Sequence, residues 1–262
     1  MRQTNQDALI KQLLALARVA GDAIMSVYGG GAVNVQRKED ASPVTEADLA
    51  AHRVLASQLM PLLPNCPVVS EEDLASQAYR KDKGQFWLID PLDGTKEFIA
   101  RNDEFTVNIA LIEEGRSVLG VVYAPAIDAL YWGGAGLGAW RCVWGRAADI
   151  KVSANGAADA CRVVASKSHL NETTQSFIDR LGLVSLVQAG SSLKFCRVAE
   201  GEADIYPRLA PTCEWDTAAA QAVLEGAGGM VLDLDGQPLQ YGKPDVLNPS
   251  FIATRDRTLI PE

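Results

Sequence analysis

The chain has 262 residues, 48% of them hydrophobic and 22% charged, which supplies enough apolar side chains for one large domain or two modest ones. Its formal net charge of −9 excludes a generally basic surface of the kind that coats nucleic acid. The five cysteines include no Cys-x-x-Cys pair and only two histidines are present, so neither a disulfide framework nor a histidine-rich zinc site is expected.

The hydropathy pattern bears on location. Residues 1–7 are mostly polar, and no apolar run is as long as a membrane span or a signal-peptide core. We therefore expect a soluble, compact protein of a reducing cytoplasm. Peripheral attachment to the inner membrane stays open, although nothing in the hydropathy supports it.

Two helices are predicted near the start of the chain. Residues 7–28 carry apolar side chains at helical spacing and are followed by three glycines. A second helix is expected after Pro43, because Thr45 and Asp48 have the spacing of a capping box. Its apolar face continues until Pro61 stops it.

The most informative stretch is residues 90–95, Asp-Pro-Leu-Asp-Gly-Thr, which directly follows the apolar run 86–89. That run predicts a short buried strand, and Pro91 has no N–H, so regular pairing should stop there. Asp90 then lies at a strand end, and Asp93 follows after a turn that the next glycine permits. Two carboxylates this close favour a cation between them, and Mg²⁺ prefers oxygen ligands.

The same turn offers groups for a ligand. The Leu92 carbonyl is left as a further oxygen ligand, and the N–H groups of Gly94 and Thr95 point at a phosphate if a helix begins at Lys96. The alternative is an ordinary Asp-Gly turn. Residues 232–236 are a comparison, because two aspartates precede a glycine there and we expect only a β-hairpin turn.

Further acids occur where Asp90 needs partners. Residues 67–70 predict a second short strand that runs into Glu71, Glu72 and Asp73. Far downstream, Asp216 precedes a helical stretch over residues 217–226, so it lies near a helix N-terminus, where an N-cap is its alternative role. Together the three acidic segments favour a site for hard cations and phosphate.

The rest of the chain divides into two patterns. Residues 105–112, 117–123, 129–132 and 139–144 predict an antiparallel meander. After Gly145, strands (162–165, 184–188, 203–206, 230–234) alternate with helices (173–181, 192–200, 217–225), which is typical of an α/β unit. We therefore expect an N-terminal α+β domain, residues 1–146, with the antiparallel sheet and most metal ligands. Residues 147–262 then form a C-terminal α/β domain with the substrate-binding segments and Asp216, and the site lies in the cleft between the two.

Several motifs carry a family resemblance. D-P-L-D-G-T at 90–95, S-E-E at 70–72 and W-D-T-A-A at 215–219 resemble the signatures of the inositol monophosphatase superfamily of Mg²⁺-dependent, lithium-sensitive phosphatases. D-G-T-K-E-F-I at 93–99, F-T-V-N-I-A-L-I at 105–112, G-S-S-L-K-F at 190–195 and Y-P-R at 206–208 are most similar to its bacterial 3'(2'),5'-bisphosphate nucleotidase branch. The resemblance implies a layered α/β fold (α-β-α-β-α) with two sheets. It also implies removal of the 3'-phosphate from adenosine 3',5'-bisphosphate, a by-product of sulfate assimilation.

The resemblance also implies a metal centre of two or three Mg²⁺ ions. Glu71, Asp90 and the Leu92 carbonyl match the ligands of one ion, and Asp90, Asp93 and Asp216 match those of a second, which Li⁺ would also occupy. Glu71 further matches a residue that steadies a third, weaker ion through water.

Catalytic roles are implied in the same way. Asp48 and Thr95 match the pair that orients and deprotonates the attacking water, and Gly94 and Thr95 match the N–H groups that hold the phosphate. For Asp48 the capping box remains the alternative. Glu72 and Asp73 are expected to face solvent or to support the ligands.

Substrate contacts are implied around the metals. Lys194 or Arg208 is expected to meet a second phosphate, with plain surface charge as the alternative. His169 stacks on a base or caps the helix that follows Asn171, and the family often has arginine where Lys167 stands. The full expected substrate-binding set is Glu71, Leu92, Asp93, Gly94, Thr95, Ser166, His169, Gly190, Ser191, Lys194, Arg208 and Asp216.

Three alternatives stay open at this point. The first is another member of the superfamily, an inositol monophosphatase or a fructose bisphosphatase. The second is an aspartyl-phosphate hydrolase, whose D-x-D spacing occurs at Asp233 and Asp235 but not at Asp90 and Asp93. The third is a sensor that binds metal or nucleotide without hydrolysis. In each case the expected partner is a small molecule and not a nucleic acid.

Overall fold

A computed structural model describes residues 3–30, 35–37, 43–80, 84–154, 160–165 and 171–261. Six α-helices are described: α1 (Gln3–Tyr28), α2 (Glu46–Leu59), α3 (Thr95–Ala100), α4 (Glu172–Arg180), α5 (Leu193–Ala199) and α6 (Glu214–Gly226). The strands are β1 (Val35–Arg37), β2 (Pro43–Thr45), β3 (Val68–Ser70), β4 (Phe86–Asp93), β5 (Thr106–Glu113), β6 (Arg116–Ala124), β7 (Ala129–Gly134), β8 (Gly138–Val143), β9 (Arg146–Asp149), β10 (Cys161–Ala165), β11 (Val184–Gln188), β12 (Ile205–Arg208), β13 (Met230–Asp233) and β14 (Phe251–Thr254).

Two large sheets organise the described part of the chain. The first has seven strands in the order β3-β4-β5-β6-β7-β8-β9, and every neighbouring pair is antiparallel except β3 and β4. The expected meander is therefore confirmed, and it continues past residue 146 because β9 pairs with β8. The second sheet has five strands in the order β11-β10-β12-β14-β13. The division into two domains at residue 146 stays a prediction.

The helices form layers on both sides of these sheets. α1 and α2 pack on the outer face of the first sheet, through a core that includes Leu13, Ile24 and Leu55. α5 and α6 lie between the two sheets, where Phe195 and Val223 belong to the largest core cluster. α4 covers the far face of the second sheet. The sequence of layers is α-β-α-β-α, as expected.

The central helix α6 lies unusually close to the first sheet. A Cβ atom placed on Gly120 of β6 would lie 1.9 Å from the backbone oxygen of Ala219 in α6. Only glycine fits at this contact. Small residues therefore let the helix whose first turn carries Asp216 approach the sheet whose edge carries Asp90.

Some element boundaries differ from the expectations. α2 ends at Leu59, before Pro61, and β12 covers residues 205–208 instead of 203–206. The turn expected at 232–236 is present, since the Gly236 N–H donates to the Asp233 carbonyl at 3.0 Å. None of the described helices combines the length and apolar character that crossing a bilayer requires.

Candidate metal centre

The carboxyl end of β4 forms the base of the site. Asp90 pairs with Asn108 of β5, and the register then shifts before Asp93 pairs with Thr106, as the missing N–H of Pro91 predicts. The Asp90 side chain is 1% exposed. Its Oδ1 accepts a hydrogen bond from the Leu92 N–H at 3.1 Å, which fixes the carboxylate inside the turn.

Three carboxylates from distant segments converge here. β3 runs parallel to β4, so the two carboxyl ends meet at one edge of the sheet and place Glu71 beside Asp90. Asp216 reaches the same place from the first turn of α6. One carboxylate oxygen from each of Glu71, Asp90 and Asp216 lies within 4.8 Å of the others.

Asp216 does not have the N-cap role that was its alternative. α6 begins at Glu214 and its N-cap is Cys213, so Asp216 is the third helical residue. Its Oδ2 accepts the Cys213 N–H at 2.7 Å, as the third residue of a capping box does. The extended backbone of Cys213 is what starts the helix three residues before the expected position. Asp216 thus stabilises the helix start and joins the acidic cluster.

Asp93 lies in the same cavity, which has a volume of about 360 Å³, but it is not part of the tight group of three. Its Oδ2 is 3.5 Å from the Asn108 amide nitrogen. Asn108 in turn accepts a hydrogen bond from the Ser192 hydroxyl at 2.7 Å, so the segment before α5 is linked to Asp93. Neither Asn108 nor Ser192 was identified from the sequence, because both look like ordinary strand and helix-start residues.

Burial and mutual repulsion act on these acids together. Burial raises the pKa of Asp90 well above its usual range, and the charges of Glu71 and Asp93 add to the effect. Burial likewise raises the pKa of Asp216, with Asp93 as the next cause. A cluster of carboxylate oxygens without sulfur or imidazole suits a hard divalent cation such as Mg²⁺ or Mn²⁺. The donor set therefore fits the metal that the sequence predicts.

The acidic cluster predicts a pH dependence of folding stability in the absence of metal. Burial raises the pKa of Asp93 to about 6, above its unfolded value of about 4. The folded state then binds more protons than the unfolded state, so this carboxyl destabilises the fold as the pH rises from about 4 through 6. As the pH rises over this range in EDTA, the melting temperature of the wild type should fall relative to the melting temperature of Asp93→Asn. A constant difference between the two proteins would contradict the prediction.

Asp48 and Thr95 meet beside this cluster. Asp48 is 1% exposed, and its Oδ2 accepts the Thr45 N–H at 2.7 Å and the Thr45 hydroxyl at 2.6 Å. Its Oδ1 accepts the Thr95 hydroxyl at 3.2 Å. The capping box is therefore real and uses one oxygen, while the other contacts Thr95. Burial raises the pKa of Asp48, which makes this carboxylate a better proton acceptor.

The turn at Gly94 leads directly into α3. Gly94 has a φ of 90°, a left-handed conformation that favours glycine, and α3 begins at Thr95, one residue before the expected start. A Cβ on Gly94 would be 3.3 Å from the Glu104 carbonyl and from the Ser191 Cβ. Both Gly94 and Thr95 line the cavity.

Cationic residues line another part of the cavity wall. Lys194 is 7% exposed, and its ammonium lies 5.7 Å from the centre of the Tyr206 ring. Burial lowers the pKa of Lys194 to about 8, although the charge of Asp93 opposes the shift. Arg208 is held in place by hydrogen bonds from Nε to the Ala210 carbonyl and from Nη2 to the Pro211 carbonyl, each 3.1 Å long.

The remaining expected residues have different surroundings. Ser191 lines the cavity, but Gly190 does not, and a Cβ there would lie 2.8 Å from the Glu104 carbonyl oxygen. Gly190 thus serves close packing. Ser166 and His169, with Lys167 and Ser168, lie outside the described residues. Lining residues that the sequence analysis did not single out are Pro43, Lys96, Glu97, Phe195, Tyr206, Pro211, Thr212, Thr217 and Phe251.

Comparison with known proteins agrees with this fold. A model of the inositol monophosphatase family matches residues 5–260. The 3'(2'),5'-bisphosphate nucleotidase CysQ of Salmonella typhimurium is 48% identical over 248 residues, covering 94% of this chain and 99% of the relative. The crystal structure of CysQ from Bacteroides thetaiotaomicron matches with a TM-score of 0.84 and 38% identity over 96% of this chain and 98% of that one. The extragenic suppressor protein SuhB from Bartonella henselae matches with a TM-score of 0.79 and 27% identity, covering 96% of this chain and 95% of that one.

The chain belongs to the inositol monophosphatase family, whose phosphatases are metal-dependent. Within that family its curated relatives at 48% identity carry the name 3'(2'),5'-bisphosphate nucleotidase CysQ.

Proposed function

We propose that this protein is a Mg²⁺-dependent 3'(2'),5'-bisphosphate nucleotidase that hydrolyses the 3'-phosphate of adenosine 3',5'-bisphosphate to AMP and phosphate. The observation that carries the proposal is the convergence of Glu71, Asp90 and Asp216 in a cavity that Lys194 and Arg208 also line. The 48% identity to nucleotidases over most of the chain supports the choice of substrate.

The carboxylates divide between two metal positions. Glu71, Asp90 and the Leu92 carbonyl would hold one Mg²⁺, while Asp90, Asp93 and Asp216 would hold a second. When bound, the metal neutralises phosphate oxygens and lowers the pKa of a coordinated water. Asp90 serves both positions because it lies between the strand end that precedes Glu71 and the first turn of α6.

Asp48 and Thr95 would move the proton of the attacking water. The Thr95 hydroxyl donates to Asp48 Oδ1, so its oxygen is available to accept a hydrogen bond from that water. As the water attacks phosphorus and the bond from phosphorus to the ribose 3'-oxygen breaks, the water proton passes to Thr95 while the Thr95 proton passes to Asp48, and the leaving 3'-oxygen takes up a proton from solvent. The N–H groups of Gly94 and Thr95 would orient the phosphate. Water is the nucleophile, so no covalent enzyme intermediate is required.

Lys194 is expected to contribute mainly to substrate affinity. It is buried in the cavity wall, and a charge-assisted hydrogen bond to a second phosphate contributes about 1.5–3 kcal/mol. Lys194→Met should therefore raise KM for adenosine 3',5'-bisphosphate about 10- to 100-fold. It should affect a substrate with a single phosphate, such as 2'-AMP, much less.

Lys151→Met is a matched control for that change. Lys151 is exposed and does not line the cavity, so steady-state kinetics of the control should match the wild type. An equal rise in KM for both substrates with Lys194→Met would mean that the ammonium binds the reacting phosphate instead.

A substrate comparison tests the function itself. Release of phosphate would be measured with Mg²⁺ from adenosine 3',5'-bisphosphate, inositol 1-phosphate and fructose 1,6-bisphosphate, each with and without Li⁺. The proposal predicts the highest kcat/KM for the nucleotide and inhibition by Li⁺. A preference for either of the other compounds would favour a different activity of the same family. Binding of nucleotide without phosphate release would indicate a sensor.

The comparisons bear less on the cellular setting. A small phosphorylated substrate fits the family, and a cytoplasmic location stays a prediction. The comparisons give no support for attachment to the inner membrane.

A further inference from the structure

A buried ion cluster forms around Glu214, two residues before Asp216 in the first turn of α6. The Glu214 side chain is fully buried, and its Oε2 accepts hydrogen bonds from Arg80 Nη1 and from the Gly242 N–H, both at 3.0 Å. Its Oε1 accepts from the Lys243 N–H at 2.9 Å and from the Lys243 Nζ at 2.7 Å. We refer to Arg80, Glu214 and Lys243 as the Glu214 ion cluster.

The first partner, Arg80, belongs to the segment that carries Glu71. Arg80 ends the 3-10 helix Leu74–Arg80, which follows the acidic run after β3. That helix is fastened to β3, since the Ser70 N–H donates to the Ser76 hydroxyl at 3.0 Å and Ser76 Oγ donates to the Asp73 carbonyl at 2.5 Å. Glu71 and Arg80 are therefore parts of one tightly hydrogen-bonded unit.

The second partner, Glu214, belongs to the segment that carries Asp216. Both residues lie in the first turn of α6, and the Glu214 N–H donates to the Val246 carbonyl at 2.9 Å. Lys243 closes the cluster from the loop before β14, and its carbonyl also accepts from Arg80 Nη1 at 3.1 Å. The cluster thus joins the Glu71 segment to the start of α6.

We infer that the Glu214 ion cluster is a positioning device for the metal centre: it holds Asp216 at ligating distance from Glu71 and Asp90. The inference rests on the proposed metal-binding function. Carboxylate oxygens of Glu71, Asp90 and Asp216 lie within 4.8 Å of one another and repel one another, so the unliganded protein has a tendency to move Asp216 away. Glu214 is two residues before Asp216, so its ion pair with Arg80 opposes that movement. Neither Arg80 nor Glu214 is itself one of the proposed metal ligands.

The alternative is that the cluster only stabilises the fold. Buried ion pairs contribute little net stability compared with apolar residues of similar volume, because desolvation offsets their attraction. Removing one partner nevertheless destabilises a protein, so a loss of stability alone does not distinguish the two roles. Metal affinity does distinguish them.

The chain offers a matched control in the second sheet. Asp204 is 4% exposed, and its carboxylate accepts hydrogen bonds from Arg162 and forms an ion pair with Arg255 Nε at 2.8 Å. None of these residues lines the cavity. Asp204→Asn therefore disrupts a comparable ion cluster that is not linked to any carboxylate of the centre.

The experiment compares wild type, Glu214→Gln and Asp204→Asn. Binding of Mg²⁺ alone would be measured by calorimetry, and melting temperatures would be recorded in EDTA and in excess Mg²⁺. We expect Glu214→Gln to weaken Mg²⁺ binding about tenfold or more, within the range that partners of metal ligands produce, and to raise the Mg²⁺ concentration for half-maximal activity in parallel. Asp204→Asn should lower the melting temperature in EDTA without changing Mg²⁺ affinity.

The outcomes separate the inference from the function on which it rests. If the wild type binds Mg²⁺ and Glu214→Gln binds it equally well, the positioning role is wrong although the metal centre stands. If the wild type binds no Mg²⁺, both fail. If Glu214→Gln does not fold, Arg80→Lys and Lys243→Met take its place, because both keep the buried carboxylate. Each of these two variants should weaken Mg²⁺ binding severalfold. Unchanged Mg²⁺ affinity in both would overturn the inference.

Discussion

Replacing Asp90 with asparagine should lower kcat by about 10³-fold or more, because metal-derived charge stabilisation contributes several kcal/mol and each 1.36 kcal/mol is a factor of ten. Asp90 is the carboxylate common to both proposed metal positions. Because Asp90 is only 1% exposed, solvent water cannot replace the missing carboxylate oxygen as a metal ligand. Phosphate release from adenosine 3',5'-bisphosphate at saturating Mg²⁺ is the measurement.

Asp90→Asn should also change the melting temperature, but in the favourable direction. Asparagine removes one charge from the acidic cluster that Asp90 forms with Glu71 and Asp216, so the melting temperature in EDTA should rise. The additional stabilisation that Mg²⁺ gives the wild type should disappear. Asp233→Asn is the control, since the Asp233 side chain accepts turn N–H groups in a β-hairpin among the described residues, and turnover of this variant should match the wild type. An active Asp90→Asn protein with normal Mg²⁺ stabilisation would contradict the assignment.

Replacing Asp48 with asparagine should lower kcat by about 10²- to 10⁴-fold, the usual contribution of a positioned general base. The asparagine oxygen can still accept the Thr45 N–H and preserve the capping box. Its amide NH₂ cannot accept a hydrogen bond from Thr95, so the proton path is interrupted. Steady-state kinetics with adenosine 3',5'-bisphosphate would measure the loss, with KM expected to change little.

Thr45→Ala separates catalysis from capping. It deletes the hydroxyl that accepts the Ala47 N–H, at a cost of about 1 kcal/mol in stability, while the contact between Asp48 and Thr95 remains. Its melting temperature should fall more than that of Asp48→Asn, and its kcat should fall far less. If both variants lost activity in proportion to stability, Asp48 would be only a capping residue.

Local chemistry explains which features were predictable. Pro91 interrupts regular pairing and Gly94 supplies a left-handed turn, as the sequence predicted, although β4 continues to Asp93 instead of ending at residue 89. The two sheets and their layers followed from strand alternation and from the family resemblance. Pro91 and Gly94 lie within a few residues of Asp90 and Asp93, which is the range over which turn and strand preferences act.

Long-range packing explains what was missed. Arg80 and Glu214 are 134 residues apart, and nothing in either local sequence indicates that they meet. Asn108 has the local sequence of an ordinary polar strand residue, and its hydrogen bond from the Ser192 hydroxyl joins positions 84 residues apart. The position of Asp216 within its helix also depended on the backbone of Cys213, whose extended conformation is a feature of the loop before α6.

The G-S-S motif divides between the cavity and the packing around it. Gly190 and Ser191 of the G-S-S segment at 190–192 were both expected to bind the substrate. In the structure Ser191 lines the cavity, Gly190 packs against Glu104, and Ser192 hydrogen-bonds Asn108. Whether Ser191 contacts the nucleotide stays a prediction, whereas the packing of its two neighbours follows from their contacts.

In the proposed function, carboxylates from β4, the end of β3 and the first turn of α6 together bind divalent metal for phosphate ester hydrolysis. Anomalous diffraction from crystals grown with Mn²⁺ and inorganic phosphate would locate the bound metal. We predict one peak among the carboxylate oxygens of Glu71, Asp90 and Asp216 and a second beside Asp93, with phosphate in contact with both. Crystals in which saturating Mn²⁺ leaves these carboxylates without a peak, or in which Asp216 turns away from Asp90, would contradict the proposed function.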